Sequence, residues 1–315
     1  VSAQAQLFKD AQWQAWADSG KLAELERAAT ARQAAQADDE QAAVALALVA
    51  MDNGETKRLE AALQPVQACV ERKPDSAACA YALGSLQGMQ AMRGGMMTAI
   101  RLSGSIKTQL QRAVELDPLL FEAREALLQF YLMAPGVAGG SVSKARELAA
   151  AAQARQPEHA KLLRASIAGQ EDKPAETERE LASVRPGADL GLQSALREAW
   201  FALGSQYFSL KQLPNAKRVF EQMQRDYPGW AAGFYGAGRV LTEMGQADEA
   251  IQNLELARKL DGADKLPVDH RLGLALLAKG DKPQARLALQ RFVSSAKHPN
   301  PRNLEDAKKK LAELG

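Results

Sequence analysis

The sequence predicts an all-α helical-repeat solenoid, and three observations predict it. One pattern echoes at a fixed distance: Gly238 follows Gly204 by 34 residues, Ala250 follows Ala216 by 34 and Leu254 follows Phe220 by 34, a period typical of stacked helix pairs. Apolar residues recur at the helical spacing i, i+3, i+7 in segment after segment, while no run alternates over a strand's length. The composition is 46% hydrophobic but only 5% aromatic, its apolar share coming mainly from Ala and Leu, which favour helix.

In chain order, residues 6–17 and 21–36 form a first helix pair that caps the stack. Phe8, Trp13 and Trp16 give it an apolar side and Ser19-Gly20 its turn. A second pair, 40–51 and 56–72, turns at Asp52-Asn53-Gly54, and Pro65 is expected to bend its second helix. The third pair is abnormal. Its glycine, Gly84, lies 29 residues before Ala113, where the regular repeat needs about 19, so both of its helices should be long. Between Cys79 and Lys107 the only charges are Arg93 and Arg101, which predicts a segment that is buried or lines something apolar.

A fourth pair, 121–156, carries an enlarged Gly-rich turn at 134–141, and a shorter fifth pair runs from Glu158 to Val184. Arg185–Gly191 reads as a linker, which divides the chain into an irregular N-terminal half, 1–187, and a C-terminal half, 188–315. Three regular repeats fill the second half, at about 193–228, 231–261 and 266–297. A terminal helix follows, with Leu304, Ala307, Leu311 and Leu314 on one face and Lys308, Lys309 and Lys310 elsewhere, as a polar-backed cap requires.

The residues Trp200, Leu203, Gly204, Tyr207, Ala216, Phe220 and Pro228, with their echo 34 residues on, resemble the tetratricopeptide repeat (TPR) helix-turn-helix. Phe130-Tyr131 followed by Ala134-Pro-Gly-Val-Ala-Gly-Gly-Ser141 resembles a loop of bacterial exported members of that family. The resemblance implies a concave face lined by the first helix of each pair. It places there Phe201, Ser205 and Phe208, then Tyr235, Arg239 and Thr242, then His270, Leu274 and Leu277. The basic-and-Asn clamp with which some members grip a peptide carboxylate is not reproduced; Arg239 alone remains. Two readings of this aromatic and aliphatic face stay open: rings covered by the chain's own elements, or a groove for an apolar ligand. A candidate apolar cavity would add Met89, Met92, Met96, Met97, Phe130, Tyr131 and Met133, the methionines supplying adaptable contacts.

The remaining features bound the function. Forty basic and 38 acidic side chains leave a formal charge of +2, too small a field to indicate nucleic acid. No run approaches the ~18 apolar residues of a membrane span, so a soluble protein is expected. The opening Val-Ser-Ala-Gln-Ala is read as the small-residue end of a removed secretory signal, which predicts an exported, periplasmic protein. Cys69 and Cys79 flank the turn Lys73-Pro74-Asp75, where a disulfide is within reach, the other reading being two half-buried thiols.

Catalytic signals are weak. His159, His270 and His298 form no paired-His metal helix and two cysteines make no zinc site, so no metal and no cofactor are expected. Ser141-Val-Ser-Lys144 and Ser294-Ser-Ala-Lys297 match a penicillin-binding Ser-x-x-Lys pattern without its partner motifs. Gly139-Gly140-Ser141 offers N–H groups to an anion or, alternatively, a turn closed by a Ser cap. The function read from the sequence is a non-catalytic adaptor that holds an envelope protein partner. The alternative is a carrier for a lipid or sterol-like molecule.

Overall fold

A computed structural model of the chain describes residues 6–295 and 301–314. The opening Val-Ser-Ala-Gln-Ala, Lys297 and His298 lie outside the described residues. All the regular structure described is helical. Unit by unit, the chain forms α1 (Ala11–Asp18), α2 (Leu22–Ala35), α3 (Glu40–Asn53), α4 (Thr56–Arg72), α5 (Ala77–Arg93), α6 (Gly95–Leu116), α7 (Phe121–Met133), α8 (Val142–Ala152), α9 (Pro157–Gln170), α10 (Pro174–Ser183), α11 (Leu190–Ser209), α12 (Leu213–Asp226), α13 (Ala231–Glu243), α14 (Ala247–Ala257), α15 (Val268–Lys279), α16 (Lys282–Ser294) and α17 (Pro301–Glu313). Two compact units emerge. The first holds the described residues up to Glu171 with Arg179–Leu196, and the second holds Asp172–Glu178 with the described residues from Arg197 onward.

Local chemistry sets the helix ends. Asp10, Asp39, Ser76, Ser141 and Asp281 each accept a hydrogen bond from a backbone N–H in the first turn of the helix that follows, satisfying donors that no helix can satisfy internally. α3 stops at Gly54 and α15 at Gly280, both left-handed, a conformation costly for any residue with a Cβ. Pro65 lies inside α4, which remains one continuous helix around it.

A single packing device repeats through the pairs. A glycine on the first helix receives a large side chain from the second: Gly84 meets Leu110, Gly204 meets Phe220, Gly238 meets Leu254 and Gly273 meets Leu289, and a Cβ on any of these glycines would come within 2.8 Å of that side chain. Sixteen residues separate glycine and knob in the last three cases, against 26 for Gly84 and Leu110. The third pair is therefore the same device stretched by ten residues, and α5 and α6 have 17 and 22 residues where α13 and α14 have 13 and 11. In the second unit the start of α13 is tied to the end of the α14 turn, since Ala231 N–H donates to Asp261 O at 2.9 Å and Asp261 N–H to Gly229 O at 3.1 Å. α17 closes this unit with the expected face: Ala307 is buried with Leu289 and Phe292, and Leu304, Leu311 and Leu314 pack around them.

Of the two readings of the cysteines, the structure shows the disulfide. Cys69 at the end of α4 is bonded to Cys79 at the start of α5, with Cα atoms 5.8 Å apart and both residues fully buried. The closed loop is short, so replacing both cysteines by Ala should lower the stability of this unit by ~2–3 kcal/mol while leaving its helices in place. A urea titration followed by far-UV circular dichroism measures this, and coincident curves for variant and parent would rule it out.

Candidate functional site

In the second unit the first helices of the pairs, α11, α13 and α15, bring aromatic rings and guanidiniums together. Phe201 sits at the centre of the aromatic group, 5.9 Å from Phe220, 6.3 Å from Trp230 and 6.4 Å from Tyr235 between ring centroids. Arginines cover these rings. The Arg197 guanidinium lies 4.5 Å from the Trp230 ring, and that of Arg239 lies 4.6 Å from Phe208 and 5.5 Å from Tyr235. Stacking of this kind exploits the negative face of the ring and leaves the edge of the guanidinium free to donate.

Several arginines of this unit are paired with carboxylates. Arg218 donates to both oxygens of Glu178, at 2.7 and 2.8 Å, and Arg291 and Arg258 reach Asp269 at 3.0 and 3.6 Å. Arg239 and Arg271 differ. The Nε of each is buried with no hydrogen-bond partner among the described residues. Burial holds Arg239 below its ordinary value, and the like charge of Arg271 adds to the effect, yet an arginine keeps its charge at any physiological pH. Arg271 has Glu243 as an electrostatic neighbour. Two guanidiniums of like charge, each with a buried Nε, thus act on one another on this face, an arrangement that an added carboxylate would relieve.

The residues assigned to the concave face divide accordingly. Phe201, Ser205, Phe208, Arg239, Thr242 and Leu274 are half-buried on α11, α13 and α15, whereas Tyr235 is buried. Thr242 spends its hydroxyl on Gly238 O at 2.8 Å. His270 belongs elsewhere: it is 2% exposed, its Nε2 lies 2.8 Å from Asp306 Oδ2 of α17, and its ring meets Phe292 of α16. Leu277 likewise packs against the α16–α17 cluster. Asp306 of the terminal helix takes the His270 ring, which withdraws that side chain from the face, whereas Leu277 is half-buried. Arg197 and Arg271 were not singled out from the sequence. Arg197 had a legible signal, being one helical turn before Phe201 on the same stripe, whereas Arg271 had none.

The candidate cavity of the first unit is not enclosed. Met92, Met96, Met97 and Met133 are 61, 76, 80 and 59% exposed, and side chains so exposed cannot wall a closed space. Met89 and Phe130 are half-buried. Tyr131 is core, with its hydroxyl accepting from Gln111 Nε2 at 3.0 Å. The glycine-rich turn also has its N–H groups in use, Gly140 donating to Pro135 O at 3.1 Å and Ser141 to Tyr131 O at 2.8 Å. Ser141 Oγ accepts from Lys144 N–H at 3.3 Å as the cap of α8. That geometry corresponds to the Ser-cap reading and leaves those groups engaged within the turn.

The first unit instead gathers carboxylates. Burial, then the charges of Asp18, Glu125 and Asp189, push Glu122 of α7 up to about 7. Asp18, which accepts from Gln14 Nε2 at 2.8 Å, is raised by burial as well. His159 lies 3.5 Å from Asp189, its ring 4.4 Å from that of Phe121, and burial lowers its pKa despite the nearby acid. No group of three or more His, Cys, Asp or Glu side chains arranged to hold a metal is present among the described residues.

A raised carboxyl favours the folded state when it is protonated, so the contribution of Glu122 to stability is complete below about 4.5 and is lost as pH rises through about 7. Glu122→Gln should therefore stabilise the protein at pH 8 by ~1–3 kcal/mol and have little effect at pH 4.5. Thermal melts at the two pH values decide this, and equal shifts at both would exclude it.

The family model described as Tetratricopeptide repeat matches residues 198–229 and 269–299. The tetratricopeptide repeat family is thereby supported. The first match contains α12 and most of the aromatic stretch of α11, and the second begins one residue before His270. No curated protein matches the chain. Among solved structures, yeast Tom70 is similar at 15% identity and a TM-score of 0.63, over 93% of this chain and 59% of that one. A tetratricopeptide repeat protein from Parabacteroides merdae is similar at 16% identity and a TM-score of 0.47, over 87% of this chain and 98% of that one. PilF of Pseudomonas aeruginosa gives 16% identity and a TM-score of 0.45, over 76% and 99%. The likeness to Tom70 is one of fold, the all-α helical-repeat class, and this chain spans about three fifths of that protein.

Proposed function

We propose that this protein is a non-catalytic scaffold that binds a partner protein, and that the α11–α13–α15 face of its second unit takes an acidic segment of that partner. The observation that carries the reading is the pair Arg239 and Arg271, whose buried Nε groups lack a partner among the described residues beside guanidinium-covered rings. A carboxylate arriving there forms charge-assisted hydrogen bonds with donors already desolvated and held in place. The same guanidiniums count against a lipid or sterol in this groove, because they occupy the ring faces that an apolar ligand would need. The tetratricopeptide match and the all-helical fold support the scaffold part of the reading, repeats of this kind being binding surfaces. We further propose that the protein works in an oxidising compartment, the bacterial envelope, on an envelope partner. The buried Cys69–Cys79 bond supports that location.

Fluorescence anisotropy with labelled Glu- and Asp-rich peptides tests the site. Arg239→Gln combined with Arg271→Gln should weaken binding by on the order of 100-fold, as expected when two charge-assisted contacts are lost. Arg218→Gln, at an arginine already satisfied by Glu178, should change it little. Peptide affinity that survives the double change would refute the site. Thiol titration of protein purified from the native compartment tests the location, which two free thiols would contradict.

A further inference from the structure

The first unit carries a second, unrelated surface. α6 has 22 residues and α7 only 13, reaching about 33 Å and about 20 Å, so α7 is too short to run the length of α6, and Met96, Met97 and Ile100 in the first two turns of α6 are exposed. The α7–α8 loop lies against α6, with Gly139 close to the Lys107 side chain. Met92, Met96, Met97 and Ile100 at the α5–α6 turn, and Met133 and Val137 at the α7–α8 turn, are 51 to 97% exposed. Only Leu116, Val142 and Leu190 complete the exposed large apolar side chains described in this unit, and Val142 belongs to the same end. Such concentration is unusual, since exposed apolar residues are ordinarily scattered.

The charge around these residues has one sign. No Asp or Glu occurs between Asp75 and Glu115, nor between Glu125 and Glu147, and every charged side chain within those two stretches is Arg or Lys. This is notable in a chain with 40 basic and 38 acidic residues. Arg93, Arg101 and Lys144 are exposed. The nearest acids at the neighbouring α3–α4 turn are Asp52 and Glu55, and Glu55 already lies 3.7 Å from Arg58.

We infer that this end of the first unit docks on an anionic lipid surface, its Met, Ile and Val side chains entering the interface while Arg101 and Lys144 meet lipid phosphates. A bilayer fits better than a protein for two reasons. The large apolar side chains exposed on the patch are Met, Ile and Val on helix ends and loop tips, with no exposed aromatic ring among the described residues, whereas protein interfaces concentrate affinity in rings seated in pockets. A bilayer needs no shape match: it takes up apolar side chains as they come and draws basic ones to its surface. No helix of the described residues is long and apolar enough to cross a membrane, so the association would be peripheral.

Co-sedimentation of the full chain with phosphatidylcholine vesicles, with and without ~30% phosphatidylglycerol, tests the inference, the anionic fraction being chosen to give a strong surface potential. Binding is expected only to the anionic vesicles and should weaken with salt. Met96→Asp with Met97→Asp, at side chains 76 and 80% exposed, should abolish it while the far-UV spectrum is unchanged. Arg101→Gln with Lys144→Gln should reduce it about 25-fold, each basic residue near the surface being worth about fivefold. Equal binding to neutral vesicles, no binding to anionic ones, or binding that both double variants retain would overturn the inference. If the Met variants instead lose capture of a protein while vesicles never bind, the face is a protein interface and the lipid assignment fails.

Discussion

Phe220→Ala should destabilise the second unit by about 3–5 kcal/mol, the cost of truncating a large core aromatic. Phe220 is fully buried, and its ring fills the space left by two glycines at once. A Cβ on Gly204 of α11 would come within 2.6 Å of it, and one on Gly236 of α13 within 2.3 Å. The glycines opposite it carry no side chain to fill the space its removal would leave. Phe208→Ala is the natural contrast, because Phe208 is half-buried and its ring faces the Arg239 guanidinium and the Lys211 ammonium. It should cost much less stability but weaken the acidic-peptide binding proposed above. Urea titrations of the two variants, with anisotropy on Phe208→Ala, separate packing from recognition. A Phe220→Ala loss below 1 kcal/mol would mean that the glycine-lined contact is not as tight as described.

Gly140→Ala should be the most damaging single-methyl change, at about 3 kcal/mol, the upper end for overpacking. The added Cβ would fall 1.7 Å from Ala134 O and 2.7 Å from its carbonyl carbon. Both are backbone atoms, so no rotamer change relieves the clash, and the turn must open. Opening it would break the bonds from Gly140 N–H to Pro135 O and from Ser141 N–H to Tyr131 O, which seat the start of α8. Gly136→Ala is the control, since nothing lies within 4 Å of a Cβ there. Melting curves for the pair should differ by several degrees, and matching curves would show that the turn rearranges without cost.

The sequence by itself determined the helical class and the repeat. A glycine on one helix and its knob sixteen residues later are local features, set by which side chains fit at a close helix crossing, and they recur wherever the chain makes that crossing. The abnormal length of the third pair was legible for the same reason, because the interval from Gly84 to Ala113 counts residues within one hairpin. Phe201, Phe208 and Arg239 could be placed on one stripe from spacing alone. Only the tertiary structure decided what covers each stripe. His270 occupies a position in its repeat comparable to that of Phe201, yet α17 arrives over it and Asp306 takes its ring nitrogen; nothing within residues 268–279 announces that neighbour. Arg271 gains its importance from Arg239 on another helix, a relation absent from local spacing. The weakly charged α5–α6 hairpin reads as buried because charge is scarce there, but burial depends on what stands alongside, and Met92, Met96 and Met97 are left exposed. Periodicity records which side of a helix is apolar, whereas exposure is a property of the neighbours, whose lengths and positions are fixed only when the helices pack.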